Sequence, residues 1–87
     1  MYRITNVTAR DEKTVKPQRI GRLVYDVDKI TDIMSGVSYC YCEYADKEHE
    51  GIALYTSPEV VRHITPDGKT ITVVTNNSVY TFEKVEK

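Results

Sequence analysis

Cys40-x-Cys42, with His49 and His63 further along, is the first set of residues whose types can do chemistry. Thiolates and imidazoles in a set of four are the ligands of a tetrahedral zinc site. The spacing works against that reading, because zinc knuckles use Cys-x2-Cys and a flat strand splays thiolates at i and i+2. Two small, buried apolar side chains account for the pair, so no metal is expected. A bridge between i and i+2 is sterically disfavoured. Reduced thiols, and with them a cytoplasmic setting, are the simplest reading.

Catalytic patterns are sparse. The chain holds no nucleophile elbow, no His-Glu-x-x-His run and no glycine-rich phosphate loop. Metal-assisted hydrolysis needs clustered Asp, Glu and His, which the sequence does not gather. No catalytic residue and no cofactor is therefore assigned, and a small hydrolase is the least supported of three functional readings.

Binding chemistry has more material. The segment from Arg10 to Arg22 carries Arg10, Lys13, Lys16, Arg19 and Arg22. Arginine suits phosphate through its forked donors. Arg19 and Arg22 flank Ile20-Gly21, which projects both toward one end of a barrel. Two later segments, around Thr56-Ser57 and Asn76-Asn77, end strands with hydroxyl and amide groups. Such groups serve turns, and they can also converge with the arginines on a small anionic ligand. Arg19, Arg22, Thr56, Ser57, Asn76 and Asn77 form the candidate ligand set; a solvated loop and ordinary turns are the plain alternative.

Tyr39, Tyr41, Tyr44 and Tyr55 cluster around one strand pair. Exposed, Tyr39, Tyr41 and Tyr55 form an interaction patch; buried, they are core. The acidic run Glu43, Asp46, Glu48 and Glu50 reads as a charged hairpin tip, or as a face toward a basic partner.

These residues need elements to position them. Ile, Val and Thr total 28 of 87 residues, against 5 for Leu and Ala. Branched side chains fit a pleated surface and lose freedom in helices, so the composition is that of a strand former. Tyr2–Ala9 alternates, with Tyr2, Ile4 and Asn6 on one face and Arg3, Thr5 and Val7 on the other. Arg10–Arg19 is a polar loop, and Gly21 marks a bulge or close backbone approach. Arg22–Val27 is a second strand. Asp28–Met34 fits a helical turn or a strand. Val37–Ala45 is a strand with Cys40, Cys42 and Tyr44 on one face. Ile52–Thr56 is short and stops at Ser57-Pro58. Val60–Ile64, Thr70–Thr75 and Ser78–Glu83 close the chain as a meander. Its turns, Thr65-Pro66-Asp67-Gly68-Lys69 and Asn76-Asn77, are expected to supply positive-φ residues.

Short antiparallel strands, five to seven in number and ending in a meander, specify an all-β domain over 1–87. Closure removes exposed sheet edges, so an SH3-like barrel is the expected architecture, with an OB-like barrel as the alternative. An unclosed edge would invite strand pairing between copies, which keeps a homo-oligomer among the expectations. The net charge of −1 argues against nucleic acid or a membrane surface as partner. No apolar run approaches the roughly 20 residues of a membrane span.

The pattern Tyr55-Thr56-Ser57-Pro58-x-Val60, followed by a hairpin and Thr75-Asn76-Asn77-Ser78-Val79-Tyr80-x-Phe82, resembles the tail of short proteins encoded by bacteriophages and integrated mobile elements. Arg19-Ile20-Gly21-Arg22 is similar to their entry into a small SH3-like barrel. The resemblance spans about half the chain and rests on turn and strand signals. It implies a phage or mobile-element accessory protein acting in the host cytoplasm; no catalytic or binding residues carry over from that group. Two binding readings follow. One is a module that binds and inhibits a host protein. The other is a sponge for a nucleotide signal of host immunity.

Overall fold

The computed structural model describes residues 1–25, 31–34, 37–49 and 51–85, side chains excepted over 31–39. The described elements are β1 (Tyr2–Ala9), a 3-10 turn at Pro17–Arg19, β2 (Leu23–Val24), β3 (Thr31–Met34), β4 (Val37–Glu43), a 3-10 turn at Lys47–His49, β5 (Ala53–Ile64), β6 (Thr70–Thr75) and β7 (Ser78–Lys84). The sheet runs β2-β1-β7-β6-β5-β4-β3, with every pair antiparallel. Its two ends meet. Val24 bridges Tyr44, the Tyr25 N–H donates to the Glu43 carbonyl at 2.9 Å, and the Ala45 N–H donates to the Leu23 carbonyl at 2.8 Å. All strands but β3 thus form a nearly closed barrel of the small SH3- or OB-like kind, and β3 is carried on β4 outside the ring. No helix among the described residues is long and apolar enough to cross a membrane.

The core is what alternation dictates. Phe82, Ile4, Leu54, Ile71, Val24 and Val73 are fully buried, with Thr75, Cys40 and Cys42 beside them. Three tyrosines sit at the core's margin with rings inside and hydroxyls bonded. Tyr2 donates to the Gly68 carbonyl at 3.0 Å, while Tyr44 and Tyr80 accept from Arg22 and Arg19. A thin core uses tyrosine this way because the phenol avoids an unsatisfied polar group.

Several local expectations change. In β1 a register shift falls between Ile4 and Asn6, so Tyr2, Ile4 and Val7 are buried while Asn6 is exposed. One extra residue reverses the alternation beyond it. β2 stops at Val24 rather than Val27; Tyr25 is a bend, and 26–27 lie outside the described residues. Of the ambiguous stretch Asp28–Met34, its last four residues are strand, and 28–30 lie outside the described residues. β4 ends at Glu43, with Tyr44 continuing as the bridge.

The largest correction concerns Ser57-Pro58. The chain does not stop there: β5 continues to Ile64, pairing with β4 at Pro58 and then with β6 from Glu59. Proline lacks only an N–H, and the Pro58 carbonyl still accepts from Asn76 at 3.0 Å. The β5–β6 register shifts between Glu59 and Val61. β5 therefore hands over between partners at this point, which lets one strand serve both halves of the wall.

Gly21 has φ +95° and nothing within 4 Å of an added Cβ. Its role is the left-handed backbone rather than close approach. Its N–H donates to the Ile4 carbonyl at 2.7 Å. Gly68, at φ +71°, fits the Asp-Gly turn as expected, and Asp67 Oδ1 accepts from the Lys69 N–H at 2.9 Å. Gly68→Val is expected to destabilise by about 1–2 kcal/mol, the cost of a branched residue in left-handed space. A urea midpoint unchanged from wild type would contradict that assignment. Asn76 and Asn77 do not adopt positive φ; Glu12 is the positive-φ non-glycine residue among those described. Their turn is held by Thr75, whose Oγ1 accepts from the Asn77 and Ser78 N–H groups at 3.3 and 3.0 Å.

Candidate functional site

The Arg10–Arg19 segment is not an open loop. Asp11 accepts from the Lys13 and Thr14 N–H groups, and their hydrogen bonds hold its carboxyl below the usual range. The Ala9 N–H donates to the Thr14 carbonyl at 2.8 Å and the Lys16 N–H to the Val7 carbonyl at 2.7 Å. The segment folds back along β1, and the 3-10 turn Pro17–Arg19 follows at once. This places Lys16 and Arg19 against the start of β7.

There they meet the middle of β5 and the β6–β7 turn. Lys16 Nζ donates to Ser78 Oγ at 2.8 Å and to the Asn77 carbonyl at 3.2 Å. Arg19 Nη1 donates to the Tyr80 hydroxyl at 2.6 Å, which uses one of the guanidinium's five N–H donors. Asn77 Nδ2 donates to Ser57 Oγ at 2.7 Å, tying the β6–β7 turn to β5. The buried Thr56 hydroxyl accepts from the Cys40 N–H at 3.1 Å and donates to the Ser57 carbonyl at 2.8 Å. A depression of about 320 Å3 opens between them, with Val7 and Thr56 among its lining residues and Tyr55 on its wall. Among the described residues its lining holds two cations and no carboxylate. Cations, hydroxyls and an amide around one polar cavity are what a phosphate or similar anion requires.

Of the candidate ligand set, Arg19, Thr56, Ser57 and Asn77 converge here. Asn76 does not line the depression and is exposed. Arg22 also stands elsewhere. Its Nη1 donates to the Tyr44 hydroxyl at 3.0 Å, its guanidinium carbon lies 5.0 Å from the Tyr44 ring centre, and it lines a separate hollow with Asp46 and His49. The reason is Gly21, whose left-handed turn separates the directions of its two arginine neighbours. Lys16, Ser78 and Tyr55, which lie outside the candidate ligand set, also line the depression. Lys16 was visible as one of five basic residues, but nothing in the sequence distinguished it from Lys13.

Among the tyrosines, Tyr41 is half-buried and Tyr55 is 40% exposed. Their rings meet edge to face at 5.4 Å. The Tyr39 side chain lies outside the described residues, so the three-residue patch is described through two members.

The metal-type residues do not assemble. Cys40 and Cys42 are buried and free. The hydrogen bond it donates to Cys40 and its burial both push the Cys42 thiol up, which keeps it protonated. His63 is exposed on β5. His49 Nδ1 lies 2.6 Å from Asp46 Oδ1. Among the described residues, no group of three or more His, Cys, Asp or Glu is placed to hold a metal ion. The Asp46–His49 pair has the form of an oriented base. Its hollow, however, is lined by Gln18, Ile20, Gly21, Arg22 and Glu48, none of them a hydroxyl or thiol nucleophile. The pair instead fastens the barrel seam, since Asp46 Oδ2 accepts from the Leu23 N–H at 3.2 Å. Burial works to raise the Asp46 carboxyl, but bonds from the His49 ring and the Leu23 N–H outweigh it and hold it below the usual range.

Compared with known proteins, the chain matches no family model, no curated protein and no solved structure. The class defined by fold and site is therefore a small all-β barrel with a cationic, hydroxyl-rich depression at the junction of β1, β5 and β7.

Proposed function

We propose that the chain is a non-enzymatic binding module that captures a small phosphate-bearing anion at this depression. The observation that carries the reading is the meeting of Lys16 and Arg19 with Ser57, Asn77 and Ser78 around a cavity whose lining, among the described residues, includes no carboxylate. Charge-assisted hydrogen bonds from such groups are stronger than neutral ones. The exposed Tyr55 ring offers a stacking face beside the anion, which favours a nucleotide over inorganic phosphate. The resemblance to phage and mobile-element proteins gives capture a purpose: sequestering a nucleotide signal of host immunity in the host cytoplasm. Calorimetric titration with a nucleoside phosphate and its dephosphorylated nucleoside tests the reading.

A second reading is docking to a host protein. It is favoured by Val60, Val61 and Ile64, which are 52%, 55% and 42% exposed on one half of β5. Apolar side chains adjacent on a strand and left in water are a common mark of a contact surface. A ligand-free protein that retains one host protein through a stringent wash, and loses it on Val61→Lys, would favour this reading.

A further inference from the structure

A second cavity, of about 420 Å3, lies where the barrel seam meets the β4–β5 connection. Its walls come from the outer face of the sheet. Cys40 and Cys42 point inward, so Tyr41 and Glu43, which alternate with them, point outward. Leu54 points inward, which puts Ala53 on the outer face opposite Glu43. Tyr25 joins from the end of β2, fixed by its N–H bond to the Glu43 carbonyl at 2.9 Å.

The chemistry of this cavity is the reverse of the first. Tyr25 and Tyr41 line it with Glu43, and Ala45, Gly51 and Ala53 keep it open by their small size. Tyr25 is 44% exposed. Phenol faces carry negative electrostatic potential, and a carboxylate at their edge adds to it. The same tyrosine cluster already holds one internal cation, since the Arg22 guanidinium lies over the Tyr44 ring at 5.0 Å. A neutral apolar ligand would leave Glu43 without a partner, and an anion would meet it directly.

We infer that the cavity between Tyr25, Tyr41 and Glu43 is a binding site for an alkylammonium group. The rings contact the N-alkyl surface and Glu43 balances the charge. Asp46 also lines the cavity, but its oxygens are held by the Leu23 N–H and by His49. Among the described residues Lys47 is the cation of the rim and is exposed; it lowers the attraction, so its removal tightens binding. This site is independent of the anion depression. The two lie on either side of the Tyr41–Tyr55 pair, with Tyr41 lining one and Tyr55 the other.

The test is an amide-resolved NMR titration with choline, at constant ionic strength, against its neutral isostere 3,3-dimethylbutanol. Saturable shifts at Tyr25, Tyr41, Glu43 and Ala53 are expected, with the isostere at least tenfold weaker. Tyr25→Leu and Glu43→Gln should each weaken choline binding about tenfold, and Lys47→Ala should strengthen it, with the melting temperature held. A peptide bearing trimethyllysine that binds more tightly than choline would place the cation on a protein, and the reverse order would place it on a free amine. Shifts that fail to saturate, or equal binding of the isostere, would overturn the site, whatever the result at Lys16 and Arg19.

Discussion

Lys16→Ala combined with Arg19→Ala is expected to weaken binding of a nucleoside phosphate by at least about a hundredfold. Each substitution removes a charged donor from the depression, and hydrogen bonds to charged groups contribute about 1.5–3 kcal/mol each. Two such losses give about 3–6 kcal/mol, or a factor of a hundred or more in Kd. Stability should change far less. Lys16 is exposed and Arg19 half-buried, and the bonds lost to Ser78 and Tyr80 lie at the barrel rim. Arg22→Ala is the matched control, because it removes the same charge from a different hollow. Calorimetry should find its affinity close to wild type. Retained binding in the double variant would remove the anion depression as the site.

Phe82→Ala is expected to cost about 3–5 kcal/mol, the usual range for deleting a buried aromatic ring. Phe82 is fully buried. It sits opposite Ile4 on one side and Ile71 on the other, and its ring lies nearly parallel to that of Tyr80 at 6.1 Å. A strand residue flanked by paired strands on both sides has little room to collapse, so the cavity would persist. Against total stabilities of about 5–15 kcal/mol, such a loss is about a fifth to all of what holds the domain folded. Urea unfolding should show the midpoint falling sharply with the slope unchanged. A loss under about 1 kcal/mol would contradict the placement of Phe82 at the centre of the barrel.

The barrel was legible because period-two alternation and branched residues run through most of the chain. Cys40, Cys42 and Tyr44 pointed inward as their spacing required, and the Asp67-Gly68 turn adopted the backbone its residues favour. What was not legible depended on partners distant in sequence. Nothing local marks the register shift that moves Asn6 out and Val7 in. Ser57-Pro58 reads as a stop, and only the change of partner from β4 to β6 shows why the strand passes through it. The site divides the same way. Thr56, Ser57 and Asn77 are identifiable as hydroxyl and amide groups, although β5 runs on through the first two, and Arg19 as a phosphate-type donor. Lys16 reaches them only because Asp11 and Thr14 fold the segment back on β1, and Arg22 leaves them because Gly21 turns the chain away.

The central claim is that the Lys16–Arg19 depression takes a phosphate-bearing ligand, and its most direct test is calorimetric titration of the wild-type protein with a nucleoside monophosphate and with the same nucleoside lacking phosphate. The account predicts saturable binding of the phosphate form, weakening as salt rises, with the bare nucleoside at least tenfold weaker. Equal affinity for the two, or no heat from either, would contradict it.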